Sequence, residues 1–404
     1  MQTFLAPAYL QTEQGREADR ILRNCVHCGF CTATCPTFLL TGNELDSPRG
    51  RIYLIKAVLE GAAVSTVTQS HLDRCLSCQS CETTCPSGVD YHRLLDIGRL
   101  QVEQQLGRTL AVSLQRFFMR KLFTGVRLFP LALLLGRLFR PVLPASLKKM
   151  IPARQPAGNW PRQKRERRML LLNGCVQRSL SPNTNAAAAR VLDRLGIQAF
   201  AIRGEGCCGA VNYHLNAQEE GLVQARHNID LLYEQLEQGV EAIVSTASGC
   251  GNFSKDYVKL FQHDKDYAEK ANRVVASLKD ISEILLAEDL TIFKPDKTAK
   301  LAFHSPCSLQ HGHKLGGTVE TILATVGFTL TPVVDAHLCC GSAGTYSILQ
   351  PQLAQHLQAN KIAALEAGAP DAIATANIGC QSHLGAVSRR PVRHWIEYLD
   401  DALA

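Results

Sequence analysis

Cys25-Val26-His27-Cys28-Gly29-Phe30-Cys31-Thr32-Ala33-Thr34-Cys35-Pro36 decides how the first quarter of this chain folds. Further along, the same frame returns as Cys75-Leu76-Ser77-Cys78-Gln79-Ser80-Cys81-Glu82-Thr83-Thr84-Cys85-Pro86. Both stretches read C-x2-C-x2-C-x3-C-P. The x2 spacing lets successive sulfurs converge in one tight loop, and the proline after the fourth cysteine turns the chain away. Four thiolates complete the iron coordination of a [4Fe–4S] cube. Structural zinc, the alternative occupant, asks for donors in two pairs.

The spacing is that of the bacterial ferredoxin run. In two-cluster ferredoxins the fourth cysteine of each run ligates the other cluster. That resemblance implies one cluster on Cys25, Cys28, Cys31 and Cys85, and a second on Cys75, Cys78, Cys81 and Cys35. Apolar residues recur at helical spacing over 51–60 and 91–100, between and after the two runs. A mainly α-helical two-cluster ferredoxin-like domain is expected over 1–105.

The chain has 404 residues, 46% of them hydrophobic and 20% charged, so a soluble multidomain protein with sizeable cores is expected. Sixteen cysteines is a high count. The first residues carry neither a basic nor an apolar signal-peptide region, which argues for a reducing, cytoplasmic setting and for cysteines as metal or redox groups. The net charge of +7 is unevenly spread: residues 101–170 carry +13 and the remainder −6. Such a basic block can meet an anionic membrane surface, an acidic partner or nucleic acid. No recognition helix, zinc-finger spacing or stacking platform is present, and no nucleic-acid partner is expected.

Residues 168–404 hold an internal repeat. Cys175 is followed by Cys207-Cys208-Gly209 and then Cys250; Cys307 is followed by Cys339-Cys340-Gly341 and then Cys380. Strands are predicted at 169–174, 197–203 and ahead of Cys250, and again at 300–305, 328–335 and ahead of Cys380. Helices are predicted at 183–196 and 216–238, and at 316–327 and 351–367. Alternation of this kind builds parallel α/β units, expected over 168–297 and 298–404, with each cysteine at a strand's C-terminal edge. Cys175, Cys207, Cys208 and Cys250, and Cys307, Cys339, Cys340 and Cys380 with His383, form additional candidate metal or redox sites. A further cluster, a single zinc, a reactive thiol pair and inert buried thiols all stay open. Three residues after Cys250 stands Phe253, where the second half has His383, so the second half is expected to be the better site. His304 and His337 read as core or turn residues. Gly204-Glu205-Gly206-Cys207-Cys208-Gly209 matches G-x-G-x-x-G, but cysteines occupy the turn and no acidic residue stands at a second strand end, so dinucleotide binding is not expected.

Residues 106–167 are a basic, apolar helical and linker segment. Phe117, Phe118, Leu122, Phe123 and Phe129 interleave with Arg116, Arg120, Lys121 and Arg127. A helix over part of 110–150 can lie in a membrane interface or pack on protein, and its longest uncharged run, 128–136, is too short to span.

Taken together, the first run through Thr37, Arg49–Lys56, the second run through Gly88, the two Cys-Cys-Gly repeats, and the stretches 180–185, 210–219, 338–346, 375–381 and 392–397 resemble the glycolate oxidase (glycolate dehydrogenase) iron–sulfur subunit family over nearly the whole chain. The resemblance implies a subunit of an oxidoreductase complex acting on CH–OH donors without NAD. A partner flavoprotein with FAD oxidises glycolate to glyoxylate, and this chain passes electrons toward a quinone or other membrane acceptor, with peripheral placement at the inner face of the cell membrane. No catalytic residue is expected on this chain. The same parts suit glycerol-3-phosphate or lactate oxidation, thiol/disulfide reduction, or a metal-bound scaffold for the flavoprotein. In related Cys-Cys-Gly proteins two such motifs bind an unusual cluster; here neither half ends in Cys-x2-Cys.

Overall fold

Ser47 opens the helix Pro48–Leu59 by accepting the Gly50 amide hydrogen at 2.9 Å, and Pro48 sits in the first turn, where a missing N–H costs nothing. Its buried face carries Arg51, Ile52, Ile55, Val58 and Leu59. That face packs on Tyr91–Leu106, whose Leu94, Leu95 and Ile97 are buried. Glu13–Asn24 adds Ala18, Ile21 and Leu22 to the same core, which also takes in Cys25, Cys75 and Cys81. The two cysteine runs therefore hang on three helices whose positions are fixed by ordinary apolar packing.

The computed structural model describes residues 1–142, 151–293, 295 and 298–403. Two compact units are present: Met1–Arg116 with His337–Lys361, and Phe117–Ala336 with Ile362–Ala404. This division differs from the four segments read from the sequence. Residues 106–116 belong with the ferredoxin-like unit, and so does 337–361, which carries Cys339, Cys340 and the helix Pro351–Glu366 as far as Lys361. The expected boundary residue 297 and the part of the basic segment at 143–150 lie outside the described residues.

The second unit is built on two four-stranded parallel sheets. One has the order β2-β1-β3-β4, with β1 Arg167–Leu171, β2 Ile197–Phe200, β3 Ala242–Ser245 and β4 Leu278–Asp280. The other has the order β6-β5-β7-β8, with β5 Lys300–His304, β6 Thr329–Leu330, β7 Ala372–Thr375 and β8 Val392–His394. Register is tight at the centre: Met169 pairs with Ala242 in the first sheet and Leu301 with Ala372 in the second. The fold class read from the sequence holds: a helical two-cluster domain, then two repeated parallel α/β halves. Each half has one strand more than expected, and β6 is only two residues long instead of the run 328–335.

Both halves share a single apolar core, in which Met169, Leu171 and Val244 meet Phe303, Leu323 and the fully buried Trp395. The helices Asn183–Arg194 and Trp395–Ala402 join them. Buried Glu397 accepts from Thr184 Oγ1 at 2.7 Å and Ser181 Oγ at 3.1 Å, and Arg190 bonds Asp400.

Among the described residues no single helix is long and apolar enough to cross a membrane. Leu110–Thr124 and Leu128–Val142 reach that length and hydropathy only as a pair, bent by 98°.

Candidate metal centres

The two cysteine loops have the same backbone. His27 (φ 55°) and Gly29 (φ 86°) are left-handed in the first, and Ser77 (φ 51°) and Gln79 (φ 61°) occupy the same places in the second. Three of these four lack glycine's freedom, and each such residue holds about 1–3 kcal/mol of strain. The alternation of hand curls the chain so that its sulfurs face inward. Helical turns then start at Phe30–Thr32 and Ser80–Thr83, and Cys35 and Cys85 follow. The Ser77 amide donates to Cys75 Sγ at 3.4 Å, and the His27 amide does the same for Cys25.

Cys25, Cys28, Cys31 and Cys85, with Cys81, line one small cavity; Cys35 is not among its walls. Burial pushes the Cys25 and Cys31 thiols up, Cys31 to about 11. Burial also pushes Cys81 far up, and its neighbours Cys78, Glu82, Cys75 and Cys35 add to the rise. Cys35 thus neighbours Cys81 of the second run as well as Cys31 of its own, and Cys85 lines the cavity of the first run beside Cys81. Thiols crowded this way resist ionisation without a cation, and an iron–sulfur cluster supplies the positive iron that makes them thiolates. The donor set fits two such clusters.

The surroundings of the two sets differ. Cys28 is exposed, and Val26 and Phe30 beside it are 65% and 61% exposed. Around Cys35 and Cys75 the walls are polar and closed. Arg51, 1% exposed, reaches Cys35 Sγ (4.0 Å), Thr37 Oγ1 (3.1 Å) and the His71 carbonyl (2.7 Å). Tyr91, also buried, donates its hydroxyl to Cys75 Sγ at 3.7 Å. Arg51, Thr37 and Tyr91 were not singled out in the sequence. Their one signal was a charged residue on an apolar helix face, since Arg51 shares its face with Ile55 and Val58.

In the first α/β half, Cys175 follows β1, Cys207 and Cys208 follow β2, and Cys250 lies in the first turn of Ser248–Lys255 after β3. The order β2-β1-β3 reverses direction at β1, and open sheets place sites in that crevice. The four thiols form a chain of sulfur contacts, Cys175 to Cys207, Cys207 to Cys208 and Cys208 to Cys250. Contacts from Cys175 and Cys208, helped by the Gly209 and Val211 amides, hold Cys207 well below the usual thiol range. The Cys207 contact pushes Cys175 and Cys208 up, and burial adds to it. Beside them a small cavity is lined by Gly174, Glu205, Cys208, Asn228, Cys250 and Tyr257. The glycine-rich turn serves this site: the Glu205 carboxylate accepts the Asn173 and Gly174 amides at 2.8 and 3.1 Å.

Of the second set, Cys307, Cys380 and His383 belong to the α/β unit and Cys339 and Cys340 to the unit with the ferredoxin runs. Cys307 precedes the π-helical turn Ser308–Gly312, and Cys380 and His383 lie on Ile378–Gly385. His304, read as a core residue, ends β5 with a ring nitrogen within 4.8 Å of Cys380 Sγ, and its Nδ1 meets Thr375 Oγ1 at 3.0 Å. The signal available was its place three residues before Cys307, where the first half has Leu172.

Comparison with known proteins bears on these centres directly. Residues 21–89 match the 4Fe-4S dicluster domain, and 169–253 and 301–385 each match the cysteine-rich domain. Over all of this chain and 99% of its own length, the glycolate oxidase iron-sulfur subunit of Escherichia coli (strain K12) is 54% identical. This chain belongs to the glycolate oxidase iron–sulfur subunit family. A probable glycolate oxidase iron-sulfur subunit of Bacillus subtilis (strain 168) is 30% identical over 89% of the chain and 87% of its own length. Lactate utilization protein A of Bacillus licheniformis is 26% identical over 52% of the chain. As a glycolate oxidase iron–sulfur subunit, the chain is an electron-transfer component of an oxidoreductase, with iron–sulfur-binding domains.

Proposed function

We propose that this subunit binds two [4Fe–4S] clusters, one on Cys25, Cys28, Cys31 and Cys85 and one on Cys75, Cys78, Cys81 and Cys35. It carries electrons from FAD on a partner flavoprotein, which oxidises glycolate to glyoxylate, toward a quinone or another membrane acceptor. When bound, each cluster takes up and releases one electron at a time. The observation that carries the reading is the cavity that Cys25, Cys28 and Cys31 share with Cys85 and Cys81, while Cys35 of the first run is not among its walls. The exposed Cys28 loop, with Val26 and Phe30, is the face offered to the electron donor. Protein purified without oxygen is expected to hold about eight iron and eight sulfide. With the flavoprotein present, glycolate should bleach the cluster absorbance. Zinc without sulfide, or bleaching by lactate or glycerol 3-phosphate but not glycolate, overturns the reading.

Two extensions go with it. The four thiols at the β1/β3 crevice hold a further metal or cluster, and iron above eight per chain is its signature. The subunit sits on the cytoplasmic side and rests peripherally on the inner face of the membrane. Leu110–Thr124 and Leu128–Val142 support this contact, because Phe118, Leu134, Leu138 and Phe139 are all more than half exposed among basic residues.

A further inference from the structure

We propose that Arg51 sets the electron affinity of the Cys35, Cys75, Cys78 and Cys81 site, raising it so that a transferred electron settles there and not at the Cys28 site. The inference rests on the two-cluster reading above and adds a residue and a direction to it.

A site of four thiolates and iron becomes more negative by one charge when it is reduced. The electron comes from the reduced flavin of the partner, and no bond or proton at the protein need change. Burial opposes that added charge, because a low-dielectric wall solvates it poorly. A buried cation and hydrogen bonds to the sulfurs favour it. Around the second site both helpers are built in. The Arg51 guanidinium lies 4.0 Å from Cys35 Sγ and the Tyr91 hydroxyl 3.7 Å from Cys75 Sγ.

Arg51 is locked in place by the His71 carbonyl and by Asp46, which is fully buried. Asp46 does not cancel the charge of Arg51 alone. It also receives Arg74, itself 36% exposed, at 3.2 Å and His71 Nδ1 at 2.8 Å, so its charge is shared among three partners. The first site has cations too, Arg49, 36% exposed and paired with Glu44, and the Met1 ammonium, which donates to the Cys25 carbonyl at 2.6 Å, whereas the Arg51 guanidinium lies against a sulfur, that of Cys35. The Arg51 guanidinium is thus held within 4.0 Å of a cysteine sulfur in a closed, polar wall.

The test is an anaerobic redox titration of the full chain, followed by electron paramagnetic resonance, with the second site identified as the resonance lost in Cys78→Ser. Arg51→Gln should make that resonance at least tenfold harder to reduce, about 59 mV for one electron. Arg51→Lys, which keeps the charge, should shift it less. Tyr91→Phe should move the same resonance the same way, and Arg49→Gln should leave it in place. If Arg51→Gln fails to assemble, Tyr91→Phe and Arg51→Lys decide the matter. Two resonances unmoved by these variants, or moved together, overturn the role of Arg51. Failure to find two resonances at all overturns the cluster reading beneath it.

Discussion

Gly98 and Ile55 meet at the crossing of the two helices that carry the cysteine runs: a Cβ on Gly98 would lie 2.5 Å from Ile55 Cγ1. Helix Pro48–Leu59 follows the first run and Tyr91–Leu106 follows the second, so this contact sets how closely the runs approach. Gly98→Val forces the helices apart. We expect a loss of about 1–3 kcal/mol from overpacking. It is read as a lower Tm, together with faster loss of cluster absorbance in air.

Exchange of the fourth ligand has its own signature. Cys85→Ser should remove the resonance that Cys28→Ser removes, and Cys35→Ser the one that Cys78→Ser removes. Iron should fall by about four per chain in each case. If Cys35 and Cys28 variants lose the same resonance, each run holds its own cluster and the shared cavity has been misread.

Acid should weaken the α/β unit. Burial holds His313 down at about 4, with Lys255 nearby adding to the effect, and holds His394 at about 3. Both stay neutral in the fold and titrate near 6.5 when unfolded. The unfolded chain therefore binds more protons between those values, and stability present above pH 6.5 is lost as pH falls toward 4 and 3. His313 alone accounts for on the order of 3 kcal/mol. Asp280, raised by burial to about 6, acts the other way, its contribution being lost as pH rises from 3.8 to 6, and Glu205 and Glu320, also raised by burial, act with it, while the two histidines set the sign. Urea titrations at pH 7 and pH 5, read by the fluorescence of buried Trp395, should show lower stability at pH 5, and His313→Gln should flatten the difference. Equal stability at both pH values would count against neutral burial of these rings.

The paired helices after residue 109 are expected to hold the chain on lipid. Leu134→Glu with Leu138→Glu should lower co-sedimentation with anionic phospholipid vesicles roughly tenfold, while iron content and far-ultraviolet circular dichroism stay the same. Unchanged sedimentation would assign this face to a protein partner.

The 4Fe-4S dicluster domain was legible because a C-x2-C-x2-C run imposes its geometry within a few residues. So were β1, β3, β5 and β7, whose apolar runs are buried on both faces. The edge strands β4 and β8 were not, since Leu278–Asp280 and Val392–His394 are short and mix polar with apolar residues. Arg51 and Tyr91 were hidden for another reason. Their partners, Cys35 and Cys75, lie 16 residues away in each case, and only the packed helices bring them together. Nor could local pattern place Cys339 and Cys340, because the packing of 337–361 is a long-range choice.

That choice has a bearing on how the protein is made. Tyr346 donates its hydroxyl to the Arg74 carbonyl at 3.0 Å, one residue before Cys75, so part of the ferredoxin-like unit is supplied by chain made long after the two cysteine runs. Between Arg116 and Lys361 a ribosome spends roughly 12–50 s at ordinary elongation rates. For that interval the cysteine loops exist without their closing segment. Iron delivered early would find an open, oxidisable nest, and a nascent chain truncated near residue 116 would be a poor substitute for the finished subunit. Completion of the ferredoxin-like unit waits for residues 337–361.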